Sequence, residues 1–128
     1  MTSILLSIKP EYVEKIFNRT KKYEFRKRMP YKQVDKVIVY STAPEQSVVG
    51  EFEVLEIIAE KPSPLWEKTK KEAGISRAKF REYFHGCKNA YAYKIGRVTL
   101  YEIPKKLNEF GIIQAPQSFV YLKNDWGC

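Results

Sequence analysis

Arg19-Thr20-Lys21-Lys22-Tyr23-Glu24-Phe25-Arg26-Lys27-Arg28 is the stretch on which the reading of this chain turns. Tyr23 and Phe25 alternate with Lys22, Glu24, Arg26 and Arg28, and a period of two puts the rings on one face of a strand and the charges on the other. The pattern predicts a half-buried strand. Glu24 has Lys22 and Arg26 two residues away on the same face, so it can hold the Arg26 guanidinium in a fixed fork, the geometry that recognises phosphate. On an exposed face such a pair is worth only about 0 to 1 kcal/mol to stability.

Charge gathers around this strand. From Arg19 to Lys36 eight cations stand against Glu24 and Asp35, a local net of +6 in a 128-residue chain whose total is +8. A basic run can serve only to solvate a face, but a field confined to one alternating strand, rather than spread along a tail, suits a polyanion. With 44% hydrophobic residues the chain fits a single domain over residues 1–128, long enough to bury roughly two thirds of its unfolded surface.

No apolar run approaches the roughly 18 residues of a membrane span, and the opening Met1-Thr2-Ser3-Ile4-Leu5-Leu6 lacks a basic leader pattern. A cytoplasmic protein without a membrane partner is expected. Cys87 and Cys128 are too few and too far apart for a disulfide framework or a zinc site of ordinary spacing, so neither metal nor cofactor is expected. His85 is the only histidine and falls beside a predicted helix end, a capping or packing place rather than a triad member.

Outward from the basic strand, Ile4, Leu6 and Ile8 predict a first, central strand, and Pro10 opens a helix whose Tyr12, Val13, Ile16 and Phe17 form one stripe. That helix ends near Asn18 to Thr20 and sets Lys21 at the uncrowded mouth of the basic strand. Val37 to Tyr40 form a third strand, stopped by Pro44. Val48 to Ile58 form a long fourth one, with Gly50 as a bulge and Glu51, Glu53 and Glu56 as its wet face.

Two helices follow. Ser63-Pro64 reads as a cap and first helical residue, with Gly74 as the stop; Ser76 caps the next helix, with Ile75 and Phe80 placed as a hydrophobic staple. Phe80, Tyr83 and Phe84 are read as its packing face. Ala90 to Ile103 return to strand alternation with a bulge at Gly96, and a proline-bearing loop, Gln114 to Ser118, leads to a short strand and can cover a cleft. Helices interrupting a strand-dominated chain predict an α+β fold: a small, partly closed β-barrel with helices over its openings.

These residues resemble the ASCH (activating-signal-cointegrator homology) family of the PUA-like superfamily. The family motif Gly-x-Lys-x-x-Glu-x-Arg is matched by Lys21, Glu24 and Arg26, with Arg19 in the glycine's place. The Leu5-Leu6-Ser7-Ile8-Lys9-Pro10 opening, Tyr40 to Pro44, Val49 to Phe52 and Pro116 to Phe119 extend the resemblance over nearly the whole chain. It implies a PUA-like barrel whose motif strand lines a cleft for RNA, single-stranded nucleic acid or a nucleoside-sized ligand, with roles in RNA metabolism or transcription regulation.

On that reading the nucleic-acid-binding set is Arg19, Lys21, Lys22, Glu24, Arg26, Lys27, Arg28, Tyr40, Ser41, Gln117 and Ser118. Tyr40 or Tyr23 would stack a base while Ser41 and Gln117 read an edge. The rival reading is a small hydrolase, resembling the family's N4-acetylcytidine amidohydrolases and ribonucleases. Lys21 would then be nucleophile or general base and Glu24 its partner, although those amidohydrolases carry threonine where this chain has Glu24. A basic lysine at neutral pH needs desolvation or neighbouring cations.

Overall fold

The computed structural model of the chain describes residues 2–122; Met1 and residues 123–128, Cys128 among them, lie outside the described residues. The elements follow in the order β1 (Ser3–Ile8), α1 (Pro10–Phe17), β2 (Tyr23–Arg26), β3 (Lys36–Ser41), β4 (Ser47–Glu60), α2 (Pro62–Thr69), α3 (Arg77–Tyr83), β5 (Ala90–Lys105) and β6 (Phe119–Tyr121). Among the described residues six strands make one mixed sheet in the order β2-β5-β4-β3-β1-β6. Of these only β1 and β3 run parallel, because α1 and β2 supply the crossover that a parallel pair needs.

The sheet curls into a half-barrel, the small mixed barrel expected from the sequence. Curling is built into the two longest strands. Val39 faces Gly50 but Tyr40 faces Val48, which leaves Val49 as an extra residue. Phe52 faces Val98 while Val54 faces Ile95, so β5 carries the bulge at Gly96 and Arg97. Gly50 is also where bulk fails, since a Cβ there would lie 2.4 Å from the Thr99 carbonyl and 2.6 Å from the Phe17 ring.

Apolar alternation sorts the core. Ile4, Leu6, Ile8, Val37, Val39 and Phe52 point into the curl and meet Val13 and Ile16 of α1. Leu5, Ile38, Tyr40 and Val48 point the other way, toward Leu107, Phe110 and Leu122. A third cluster joins Phe25 of β2 to Leu65 of α2, to Phe80 of α3 and to Phe84 at the C-cap of α3. The Phe80 ring stands edge-on to Phe25 at 5.0 Å and tilted against Trp66 at 5.0 Å.

Two local expectations are corrected. α2 starts at Pro62 with Lys61 as its N-cap and no side-chain cap bond, so Ser63 is inside the helix; Pro62 takes the position in which a missing N–H costs nothing. The same helix ends at Thr69 and passes through a 3-10 turn, Lys70–Glu72, before Gly74 turns the chain at φ 66°. Ser76 does cap α3, its Oγ accepting from the Lys79 N–H at 3.1 Å.

Candidate functional site

α1 delivers the chain to the motif strand through a tightly bonded exit. The Thr20 and Lys21 N–H groups both donate to the Lys15 carbonyl at 3.0 Å, and Arg19 adopts φ 70°, a left-handed conformation that glycine takes freely and arginine takes at a cost of about 1 to 2 kcal/mol. The backbone at the motif's glycine position is thus the glycine backbone, filled by an arginine. Its side chain reaches β5, where its Nη1 donates to the Gly96 carbonyl at 2.7 Å.

Beyond that turn lies Lys21, which the sequence placed at an open mouth and the structure buries, with 2% of its surface exposed. Its Nζ donates to the Ala73 carbonyl at 2.9 Å and lies 5.1 Å from the Tyr12 ring centre and 4.8 Å from that of Phe25. Gly74 forms the other wall: a Cβ there would lie 2.4 Å from the Lys21 Cβ. Desolvation pulls the ammonium below the ordinary lysine range, nearby Glu24 opposes this, and Lys15 adds to it.

Glu24 is buried too, at 6% exposure, where a wet charged strand face was expected. Both faces of β2 are covered, because the rings pack on α2 and α3 while the charges turn into the curl of the sheet. Arg26 is held more firmly than one carboxylate could hold it. Its Nη1 donates to Glu24 Oε2 at 3.1 Å and to the Ser7 carbonyl at 3.2 Å, and its Nη2 donates to the Ser118 carbonyl at 3.2 Å. β2 ends one side of the sheet and β6 the other, so this guanidinium latches the half-barrel across its open side.

Tyr93 faces Glu24 in the β2–β5 register. Its hydroxyl is buried without a partner among the described residues, and burial pushes it up from the usual phenol range.

Lys21, Glu24, Arg26, Lys27 and Gln117 share one cleft of about 460 Å³, walled by Tyr12 of α1 and Tyr83 of α3. Lys27 Nζ lies 4.8 Å from the Tyr83 ring centre, and burial raises the Tyr83 hydroxyl. Lys79 of α3 and Glu11 of α1 also line the cleft and approach each other to 3.8 Å. A pocket of this size with aromatic walls and a few fixed polar groups suits a nucleoside-sized ligand.

Other expected residues lie elsewhere. Lys22 pairs with Glu72 at 2.9 Å, and Arg28 does not line the cleft. Tyr23 lies against Phe25 on the helix side of β2, and Tyr40 is buried on the sheet's far face, so neither ring reaches a base in this cleft. Ser41 is buried, its Oγ lacking a partner among the described residues, and Ser118 serves through its carbonyl. Glu51, read from the sequence as part of a wet strand face, is engaged by Lys36 at 2.9 Å and by the Tyr101 hydroxyl at 2.8 Å, outside the cleft. The sequence reading missed Tyr12, Glu11 and Lys79 as cleft residues, and Tyr83, read as packing, walls the cleft as well. Tyr12 could have been found as the one polar-tipped ring in the stripe of α1.

Residues 6–105 match the family model of the ASCH domain. An ASCH domain-containing ribonuclease of Zymomonas mobilis is 30% identical, over 94% of this chain and 84% of the relative. Two Ureaplasma parvum proteins align over 94% of this chain: ATP synthase subunit alpha at 38% identity and large ribosomal subunit protein uL22 at 32%. This chain spans only 15% and 39% of those two proteins. A crystal structure of ASCH from Zymomonas mobilis superimposes with a TM-score of 0.87 at 27% identity, covering 96% of this chain and 89% of that one. Motif strand, latched half-barrel and family match agree, and the chain belongs to the ASCH domain family.

Proposed function

We propose that this protein binds RNA by drawing one nucleotide of a single-stranded segment into the Lys21–Glu24–Arg26 cleft, and that it acts in RNA metabolism in the cytoplasm as one domain. The observation that carries the reading is the cleft itself: a buried ammonium and a buried, latched carboxylate set between the rings of Tyr12 and Tyr83. Aromatic walls hold a base by stacking, buried polar groups select it, and Lys27 and Lys79 are placed for flanking phosphates. The ribonuclease among the relatives is consistent with an RNA ligand.

The test is fluorescence anisotropy with short single-stranded RNAs against wild type and Lys21→Met. Loss of affinity in the variant, at unchanged fold, supports the cleft. Equal binding by both proteins would place RNA elsewhere.

A second reading, hydrolysis, is favoured by one observation: burial draws Lys21 toward its neutral, basic form. The two readings respond to pH with opposite signs. A bound phosphate or base held by the Lys21 ammonium is released as pH rises through the lowered lysine value, whereas a neutral amine acting as general base gains rate over that range. Incubation with RNA and with N4-acetylcytidine, wild type against Lys21→Met, shows whether turnover accompanies binding.

A further inference from the structure

α3 has two working faces. Lys79, Glu82 and Tyr83 line the cleft, while Arg77, Phe80, Arg81 and Phe84 line a second groove of about 300 Å³, shared with Trp66 of α2. We propose that this groove is a second nucleotide subsite, in which a base of the same RNA strand stacks on Trp66 and two successive phosphates lie on Arg77 and Arg81. The inference rests on the RNA reading of the cleft and extends it.

Three observations specify the occupant. First, the floor is aromatic: Trp66 is half-buried, Phe80 packs against it at 5.0 Å and holds the indole in place, and both rings line the groove. A fixed ring stacks any base without sequence preference. Second, Arg77 and Arg81 are exposed, one helical turn apart, and neither makes an ion pair among the described residues. Side chains four apart on a helix stand about 5–6 Å apart at Cβ, a spacing that two guanidinium groups can carry to neighbouring phosphates of one strand. Glu67, the acid on the groove's rim, is bonded to Lys70 at 2.8 Å and feels Arg77 more weakly than Lys70, so it offsets only part of the pair's field.

Third, the groove and the cleft lie on the same helix, so a strand leaving the cleft need only cross α3. A helix with its side chains is roughly 10–12 Å wide, which about two nucleotides span. Occupying both sites therefore takes an RNA of about four nucleotides.

The experiment measures the affinity of 5′-fluorescein oligoadenylates of one to eight nucleotides at several salt concentrations. The proteins are wild type, Lys21→Met, Trp66→Ala, Arg77→Glu/Arg81→Glu, and a charge-matched control reversing two other exposed cations, Arg97→Glu/Lys106→Glu. For wild type a step in affinity is expected at about four nucleotides. Arg77→Glu/Arg81→Glu removes the step and lowers the salt slope by about 1.4, that is about 0.7 for each of two phosphates. Trp66→Ala weakens the longer oligomers by about tenfold or more and leaves the mononucleotide unchanged. The control variant keeps the step.

If both groove variants keep the step and the slope while Lys21→Met loses binding, the cleft reading stands and the groove inference falls, leaving the Arg77/Arg81 face to an acidic peptide or another anion. If the groove variants lose binding and Lys21→Met does not, RNA is on the groove and the cleft reading fails. Wild type binding no oligomer overturns the subsite. Because Arg77 and Arg81 are exposed, their variants fold even where Trp66→Ala does not, and the salt slope alone then decides.

Discussion

Lys21 and Glu24 carry opposite charges into the same buried space, and each sets a separate stability test. For Lys21 the folded value lies below the unfolded 10.5, so its favourable increment is full above pH 10.5 and is lost as pH falls through the lowered value. Below the lowered value the buried ammonium is therefore a burden that Lys21→Met removes. Expected is a stability difference, variant minus wild type, that is largest below the lowered value and shrinks as pH climbs toward 10.5. Urea titrations at a series of pH values read it directly. The buried hydroxyls of Tyr93 and Tyr101 titrate with the opposite sign but are common to both proteins and cancel in the difference. The Ala73 carbonyl, orphaned in the variant, adds a constant offset that leaves the slope unchanged. A difference that stays flat from pH 6 to pH 10 would show that Lys21 is solvated.

Glu24→Gln tests the other half of the pair. Had the strand face been wet, its loss would cost almost nothing; with Glu24 and Arg26 side chains only 8% and 14% exposed, losing the charge weakens a desolvated, charge-assisted bond. A cost of about 1 to 3 kcal/mol is expected, a fall of several degrees in Tm by calorimetry. A Tm within a degree of wild type would return Glu24 to the status of a surface charge.

At the scale of elements, the motif strand is only four residues long and owes its shape to its neighbours. Gly74, 53 residues after Lys21 in sequence, forms the wall that fixes where Lys21 can lie. Gly74→Ala must both hold alanine at φ 66° and fit a Cβ into space that Lys21 occupies. A loss of about 2 kcal/mol or more is expected. The displaced amine also becomes accessible, so acetic anhydride labels Lys21 faster than in wild type, as read by peptide mass spectrometry. Destabilisation with unchanged labelling would make Gly74 only a helix stop.

These contacts also mark what was legible in the sequence. Strand alternation, the Ser76 cap and the bulges beside Gly50 and Gly96 are local features, and periodicity with turn chemistry finds them. The half-barrel followed from strands interrupted by helices, together with the motif. The burial of Lys21 did not follow, because its walls come from α1 and from Gly74, and no local pattern shows that distant segments meet over a cation. Tyr40 was placed in the site for the same reason: alternation says that it has a face but not which face lines the cleft.

Over the whole molecule the cations of the basic run differ in what they touch. Arg19, Lys22, Arg26 and Lys36 are committed to Gly96, Glu72, Glu24 and Glu51, and their work is to hold the curl and its flanks. Lys27, from the run, lines the cleft over the Tyr83 ring, and Lys79 of α3 lines it in the longest of the ion pairs among the described residues, 3.8 Å from Glu11. A polyanion attracted only by the summed field would respond equally to any cation removed, since unpaired and exposed-paired charges count alike at distances near a Debye length. A polyanion seated in the cleft distinguishes them, because only phosphates in contact release counterions. Lys27→Gln/Lys79→Gln is therefore expected to lower the slope of log K against log salt for short RNA by about 1.4, and Lys22→Gln/Lys36→Gln to leave it unchanged. Each pair removes the same charge, so the comparison is insensitive to net charge. Equal slopes in the two double variants would mean that the +6 field binds RNA diffusely and that the latched cleft holds something else.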